Sequence, residues 1–486
     1  MRTQRILIAL LSIQAAMMGQ VIDIRSRPFF GSDQLLVNPS HYLGAGELSI
    51  AVDDPVSESF VNPATASRHV GLSIFSTPTR VELGGFSAAS LASVGALYGG
   101  SSLFGGAYVA QQRVLTENLN SSPAEPSDWK GINRYVNVLA GYKFAESGLA
   151  IATSYTRMGV EYLAGLMAPR VGFSPPENSG EVEEFRIGLE KQKADGARIG
   201  VVLVHQRVEL NYDNGSTGGV YPALYIPFWA GRTTDRNSTV GIQTNVSVLL
   251  TETIRLGLVT TGNRKSFEQS GSSEYYGFRS GAIEPATAHA FQFGIGVARQ
   301  GKQSFQGIEL VYEPAFMNYV DVHGSLPYMR WDDMAPTNSL LQQSTVSMQF
   351  SNCVGRLGLQ SVPKPMGLAL GLQVRGVRAK WRNDVQTNYP PGYSVSSNVV
   401  PSEGKTTWNE IRLSTGIHLV TAFGDLEYVA MMTRYVGLDD FQPVPMGYDA
   451  ARVCGADFVN IIQPNSTGSF DRGTFFHRIT LLVRVF

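Results

Sequence analysis

Residues able to break or form bonds are sparse in this chain. The seven histidines stand at 41, 69, 205, 289, 323, 418 and 477, with no spacing that would hold a metal ion. The two cysteines are Cys353, placed on the lumen side of a strand-like run, and Cys454, in a long polar stretch. An oxidising compartment would permit a bridge between them without requiring one. His323-Gly324-Ser325, with Asn338 downstream, puts a base and a nucleophile in order, but in a loop rather than on a strand. No glycine-rich phosphate loop and no nucleophile elbow occurs. The sequence therefore assigns no catalytic residue, no metal and no cofactor, and reads as a non-enzyme.

Two other groups have the chemistry of recognition. Asp53-Asp54 precedes Asn62-Pro63-Ala64 by eight residues in a segment rich in small residues. Pro63 fixes its own φ and biases Asn62 toward extended backbone. Asn62 can then bond local backbone, while the aspartates can cap a turn or pair with arginines of a surrounding wall. The second group is a set of charges on one face of alternating segments: Glu184, Arg186, Glu309, Arg375, Glu410, Arg412, Glu427 and Arg478. Such a face needs a wet or mutually paired interior.

The elements that must position these residues are strands. In 239–250, Val240, Ile242, Val246, Val248 and Leu250 share one face, opposite Gln243, Asn245 and Ser247. In 288–299, Phe291, Phe293, Ile295 and Val297 oppose Gln292, Gly294 and Gly296. In 408–419, Ile411, Leu413, Ile417 and Leu419 oppose Glu410, Arg412, Ser414 and His418. From about residue 103 onward these runs alternate between short turns, such as Ala145–Ser147 and Lys193–Gly196, and seven long polar loops. The loops cover roughly 115–132, 159–180, 213–238, 262–287, 315–341, 380–407 and 436–474. Short turns at one end and long loops at the other define a transmembrane antiparallel β-barrel of about fourteen strands. A hairpin from Val70–Thr77 and Leu91–Gly99 would raise the count to sixteen. In 197–212 and 344–360 the apolar set changes phase, which predicts a β-bulge in each.

Composition agrees. Only 16% of residues are charged, against roughly 25% in soluble domains, and mean hydropathy is −0.04, too low for a helical membrane protein. With a net charge of −1 and no basic run, nothing favours a nucleic-acid partner, and none is expected. Arg2 and Arg5, an apolar run from Ile6 to Ile13, and small residues Ala15, Ala16 and Gly19 form a signal peptide over 1–19, cleaved after Gly19. The expected organisation is therefore a signal over 1–19, a hatch or plug over 20–102 (with 70–99 available to the wall), and a barrel over 103–486. Export implies a Gram-negative type of outer membrane, with its lipid as surroundings.

The stretch from Gly44 to Ala64, with Asp53-Asp54 and Asn62-Pro63-Ala64, resembles the N-terminal signature of the FadL-like superfamily of outer-membrane fatty-acid and hydrocarbon transporters. It is more similar still to the hatch of PorV/PorQ-type relatives. The terminal Phe486 resembles the signature read by barrel-assembly machinery, a partner in biogenesis. It departs from that pattern in carrying Arg484 two residues before the end. The FadL-like resemblance implies a channel for hydrophobic small molecules such as long-chain fatty acids, gated by the hatch at Asp53, Asp54, Asn62, Pro63 and Ala64. Apolar patches in the loops would then bind ligand: Tyr221, Tyr225, Phe228 and Trp229 in the third loop, and Leu166 and Phe173 in the second. The PorV-like alternative implies a partnership with secretion-system proteins, and a general diffusion porin is a third reading.

Overall fold

In the computed structural model the described residues are 40–83, 87–116, 129–161, 177–214, 230–274, 282–323, 341–362, 365–388, 397–421, 424–436 and 474–485. They form one antiparallel sheet closed on itself. Its first strands are β1 (Gly71–Ser76), β2 (Thr79–Leu83), β3 (Ser87–Gly99), β4 (Leu103–Thr116), β5 (Trp129–Phe144) and β6 (Leu149–Val160). Next come β7 (Glu177–Gln192), β8 (Arg198–Asn214), β9 (Ala230–Leu249), β10 (Ile254–Glu274), β11 (Ala282–Gln300) and β12 (Ser304–His323). The last are β13 (Leu341–Ser361), β14 (Met366–Asn388), β15 (Ser397–Thr421), β16 (Gly424–Val436) and β17 (Thr474–Val485).

β1 and β2 are halves of a single wall strand. Both lie between β17 and β3 in one unbroken register, with Ser76 opposite Leu481 and Thr79 opposite Arg478. The interruption falls at Pro78, which has no N–H for the ladder, though its carbonyl still accepts from the Ile479 N–H at 3.0 Å. The barrel is thus of sixteen strands, the higher of the two counts the sequence allowed, and the hairpin over 71–99 belongs to the wall. Closure leaves no open edge for another chain to pair with.

Outward positions carry Val138, Ile187, Leu203, Ile295, Leu310, Leu370, Leu413 and Ile479, all exposed, in a band beside the short turns. Toward the long-loop end the pattern inverts. There the outward residues are polar, and on β4 to β8 and β11 to β14 apolar residues appear on the inner face, among polar ones such as Gln112, Asn237 and Lys265. This explains the two phase changes, and neither is a bulge: β8 and β13 keep one register with both neighbours throughout. Ile199 and Leu203 face out, whereas Val208, further up β8, is buried on the inner face. Leu357 and Leu359 face out, whereas Val346, Met348 and Phe350 are buried on the inner face of β13. The register does shift between Phe267 and Gln269 and between Ile283 and Thr287. The same parity puts Cys353 on the outer face, not the lumen side, because it shares the odd-numbered face of Leu357 and Leu359. Cys454 lies outside the described residues.

The strands also outrun the alternation that predicted them. β9 begins at Ala230 and β10 reaches Glu274, so much of what reads as polar loop is strand standing clear of the apolar band. Backbone pairing continues there without an apolar outer face because no lipid has to be met.

Candidate functional site

Residues 40–69 fold into the lumen at the short-turn end and touch the wall around most of its circumference. The segment opens with a tight turn in which the Ala45 and Glu47 N–H groups both donate to the Tyr42 carbonyl at 3.1 Å. Gly46 (φ 78°) and Glu47 (φ 59°) adopt left-handed backbone. Glu47 is held there by Arg412, whose Nη1 lies 2.9 Å from both carboxylate oxygens. A four-residue helix α1 (Pro55–Glu58) and a 3-10 helix η1 (Pro63–Arg68) follow.

Both helices start at the residues the sequence singled out. Asp54 is the N-cap of α1, its Oδ1 accepting from the Ser57 N–H at 3.2 Å and its Oδ2 from the His41 N–H at 3.0 Å. Asn62 is the N-cap of η1, its Oδ1 accepting from the Ala64 N–H at 3.1 Å, while Pro63 supplies a preset φ at N1. The Asn62 amide also donates to the Leu189 carbonyl of the wall at 3.1 Å. Ala64 is fully buried against Leu97, Phe104, Leu139, Ala150 and Ala152. Asn-Pro-Ala is thus at once a cap, a turn and an attachment to β7.

Asp53 points the other way, into an ion cluster. Arg68, which is 7% exposed, pairs with Asp53, with Glu58 at 2.6 Å and with Glu190 of β7 at 2.9 Å. Asp53 also meets Arg198 of β8 at 2.9 Å and Arg255 of β10 at 3.8 Å. Three carboxylates and three guanidiniums therefore balance between segment and wall. Partial burial would raise the Asp53 pKa, but Arg68, Arg198 and Arg255 together hold it below the usual carboxylate value. Glu58 is buried more deeply, and loss of water raises its pKa despite Arg68 beside it. A cavity of about 50 Å³ with mixed polar and apolar walls adjoins the cluster, between Glu58, Thr65, Glu190 and Arg198 and the inner face of β9.

The sequence-assigned inward charges fall as follows. Arg186 pairs with Glu184 at 2.7 Å and donates to the carbonyls of Phe60 and Val61 at 2.8 and 3.0 Å. Glu309 accepts from the N–H groups of Ser49 (2.6 Å) and Ile50 and pairs with Arg356 at 3.3 Å. Arg375 reaches Glu313 at 3.4 Å and Glu410 at 3.8 Å. Glu427 and Arg478 are buried on the inner faces of β16 and β17. Most of these charges anchor the segment or brace the wall beside it. The proposed loop residues Leu166, Phe173, Tyr221, Tyr225, Phe228 and Trp229 lie outside the described residues, as do 1–39 and Phe486.

Sequence reasoning missed Glu47, Glu58, Arg68, Glu190, Arg198 and Arg255. A signal was present: Glu190, Arg198 and Arg255 occupy inward positions within a few residues of short turns, and so at one end of the barrel. It also missed a cradle of inward glycines. A Cβ at Gly188 would overlap the Asn62 side-chain oxygen, one at Gly257 the Ile50 carbonyl, one at Gly358 the Ala45 carbonyl, and one at Gly371 the Gly46 nitrogen. Lacking side chains, these positions let the segment lie directly on the wall's backbone.

Beyond the segment, toward the long loops, the inner wall carries two apolar rows of direct cross-strand partners. One runs Ala110–Tyr135–Met158–Val182–Val208 across β4 to β8. The other runs Ala288–Met317–Met348–Trp381 across β11 to β14, and the Trp381 indole lies over Gly404. All nine side chains are buried.

No family model and no curated protein sequence matches this chain. Among solved structures it is similar to a FadL homologue of Pseudomonas aeruginosa, at 11% identity, covering 92% of this chain and 98% of that one, with a TM-score of 0.41. It is also similar to the ferric yersiniabactin uptake receptor FyuA of Yersinia pestis, at 9% identity, 86% and 81% coverage and a TM-score of 0.38. The copper transporter OprC shows 7% identity, the same coverages and a TM-score of 0.37.

Proposed function

We propose that this protein is an outer-membrane channel for hydrophobic small molecules such as long-chain fatty acids, exported by its signal peptide, with residues 40–69 as its gate. The observation that carries this reading is the inversion of polarity along the barrel. Where the outer face turns polar, the inner face presents the rows ending at Val208 and Trp381. A water-filled diffusion pore has no use for Tyr135, Met158, Met348 and Trp381 on its inner wall, whereas an apolar solute leaving water does. Below those rows the path is closed by a segment held through side chains and glycine contacts, so it can shift without breaking the sheet. No covalent step is involved; the gradient drives passage.

The test is native mass spectrometry of the protein purified in mild detergent and offered oleate. One bound oleate is expected, lost when Met348 and Trp381 are both changed to Gln and weakened when Phe228 and Trp229 become Ala. An empty barrel with steady conductance would instead establish a diffusion porin, and a stoichiometric protein partner would establish the secretion role.

A further inference from the structure

The outer wall has a feature that transport does not use. Across β14, β15, β16 and β17 the outward residues Leu370, Thr415, Ala430 and His477 are successive direct partners, and His477 in turn faces Arg80 of β2. The parallel row above is large: Leu372, Leu413, Met432 and Phe475. The row below carries Leu368, Ile417, Tyr428 and Ile479. Small Thr415 and Ala430 between two large rows leave a trough of about 580 Å³ on the outer surface, walled chiefly by leucine, methionine and phenylalanine.

The two ends of this trough differ. Toward β13 it runs out among Leu357, Leu359 and Leu370. Toward β2 it meets His477, hydrogen-bonded to the Tyr428 hydroxyl at 2.9 Å, and then the 64% exposed Arg80. Arg434, also exposed, stands one outward position above Met432. Arginine marks this level elsewhere too: Arg113, Arg134 and Arg157 on β4 to β6 are outward and exposed where the apolar band stops. Basic residues at the upper limit of a lipid-facing band sit at the level of headgroup phosphates.

The geometry points to a lipid-binding site here, taking one anionic, phosphate-bearing lipid of the leaflet at the long-loop end. Its acyl chain lies in the Thr415–Ala430 trough and its phosphate lies at Arg80 and His477. Across three strand spacings the trough is about 14 Å long, room for most of an extended acyl chain. The basic groups at one end only fix the direction of the bound lipid. The Arg80–Glu82 pair, at 3.0 Å and exposed on both sides, is of the weak surface kind that a phosphate can displace.

The full-length protein, delipidated in detergent, would be offered dimyristoyl phosphatidic acid or dimyristoyl phosphatidylcholine and examined by native mass spectrometry. One retained phosphatidic acid is expected, at least tenfold in excess of phosphatidylcholine. Ala430→Leu should fill the floor and reduce retention tenfold; Thr415→Leu fills it from β15 and serves if the first variant does not fold. Arg80→Gln should leave the trough but remove the preference between the two lipids. Equal retention of both lipids by the unaltered protein, or undiminished retention in the filled variants, would overturn the site. So would a dimer of this chain that disappears with the trough. Oleate binding is read separately, so this site and the channel can fail independently.

Discussion

Arg68 is the residue on which the seating of the lumenal segment turns. It is nearly buried and serves three carboxylates on two elements, two from the segment and one from the wall. Removing one member of a buried ion cluster leaves uncompensated charge, at a cost of about 3–5 kcal/mol. Arg68→Met should therefore raise the opening of residues 40–69 by roughly a hundredfold or more, read as faster hydrogen exchange there with the wall strands unchanged. The acid response separates the carboxylates. The lowered pKa of Asp53 means that its contribution is full above the usual carboxylate range and is lost only as pH falls below it. The raised pKa of Glu58 means the reverse: folding favours its protonated form, and that contribution is lost as pH rises through its raised value. Between neutral pH and mild acid, protection of the segment should rise, and in stronger acid it should collapse. Glu58→Gln should abolish the rise; a steady decline from pH 7 in the unaltered protein would show that Glu58 is not the group responsible.

At the scale of elements, what the sequence revealed and what it concealed have one cause. A strand meeting lipid must alternate, so Ile295 and Val297 against Gly294 and Gly296 announced both the strand and its outer face. The same letters concealed the cradle, because an inward glycine reads alike whether it saves space for a neighbour or merely fills a polar face. The phase changes at Val208 and Phe350 were misread as bulges because alternation locates a face without saying what that face meets. Asp53, Asp54 and Asn62 stood out by type, but the partners that give them work, Arg68, Glu190, Arg198 and Arg255, come together only when the barrel closes. Gly188 tests the cradle directly. Gly188→Ala would push its methyl into Asn62, whereas Gly355→Ala, on the outer face of β13, meets nothing within 4 Å. Both should form the barrel, shown by heat-modifiable gel mobility. Only Gly188→Ala should expose residues 40–69 to protease, and equal sensitivity of the two would show that the segment does not rest on that glycine.

At the scale of the molecule, wall and segment are separable structures. The wall is held by backbone ladders closed all round, with β17 paired to β1 and β2, and none of those ladders runs through the segment. The segment adds no strand to that sheet. It is attached through Glu47–Arg412, Ser49 and Ile50 on Glu309, Asn62 on Leu189, and the Asp53–Arg68 cluster, which together engage β7, β8, β10, β12 and β15. An empty lumen of sixteen strands is wide enough for a water-filled channel. Deletion of 40–69 should therefore leave a folded barrel that conducts steadily in a planar bilayer, while the intact chain stays closed. Arg68→Met should fall between them, with brief openings, because the segment still has its other attachments. A deletion variant that folds yet remains closed would move the constriction to the long-loop end, and the apolar rows around Met158 and Met348 would then be the barrier rather than the approach to it.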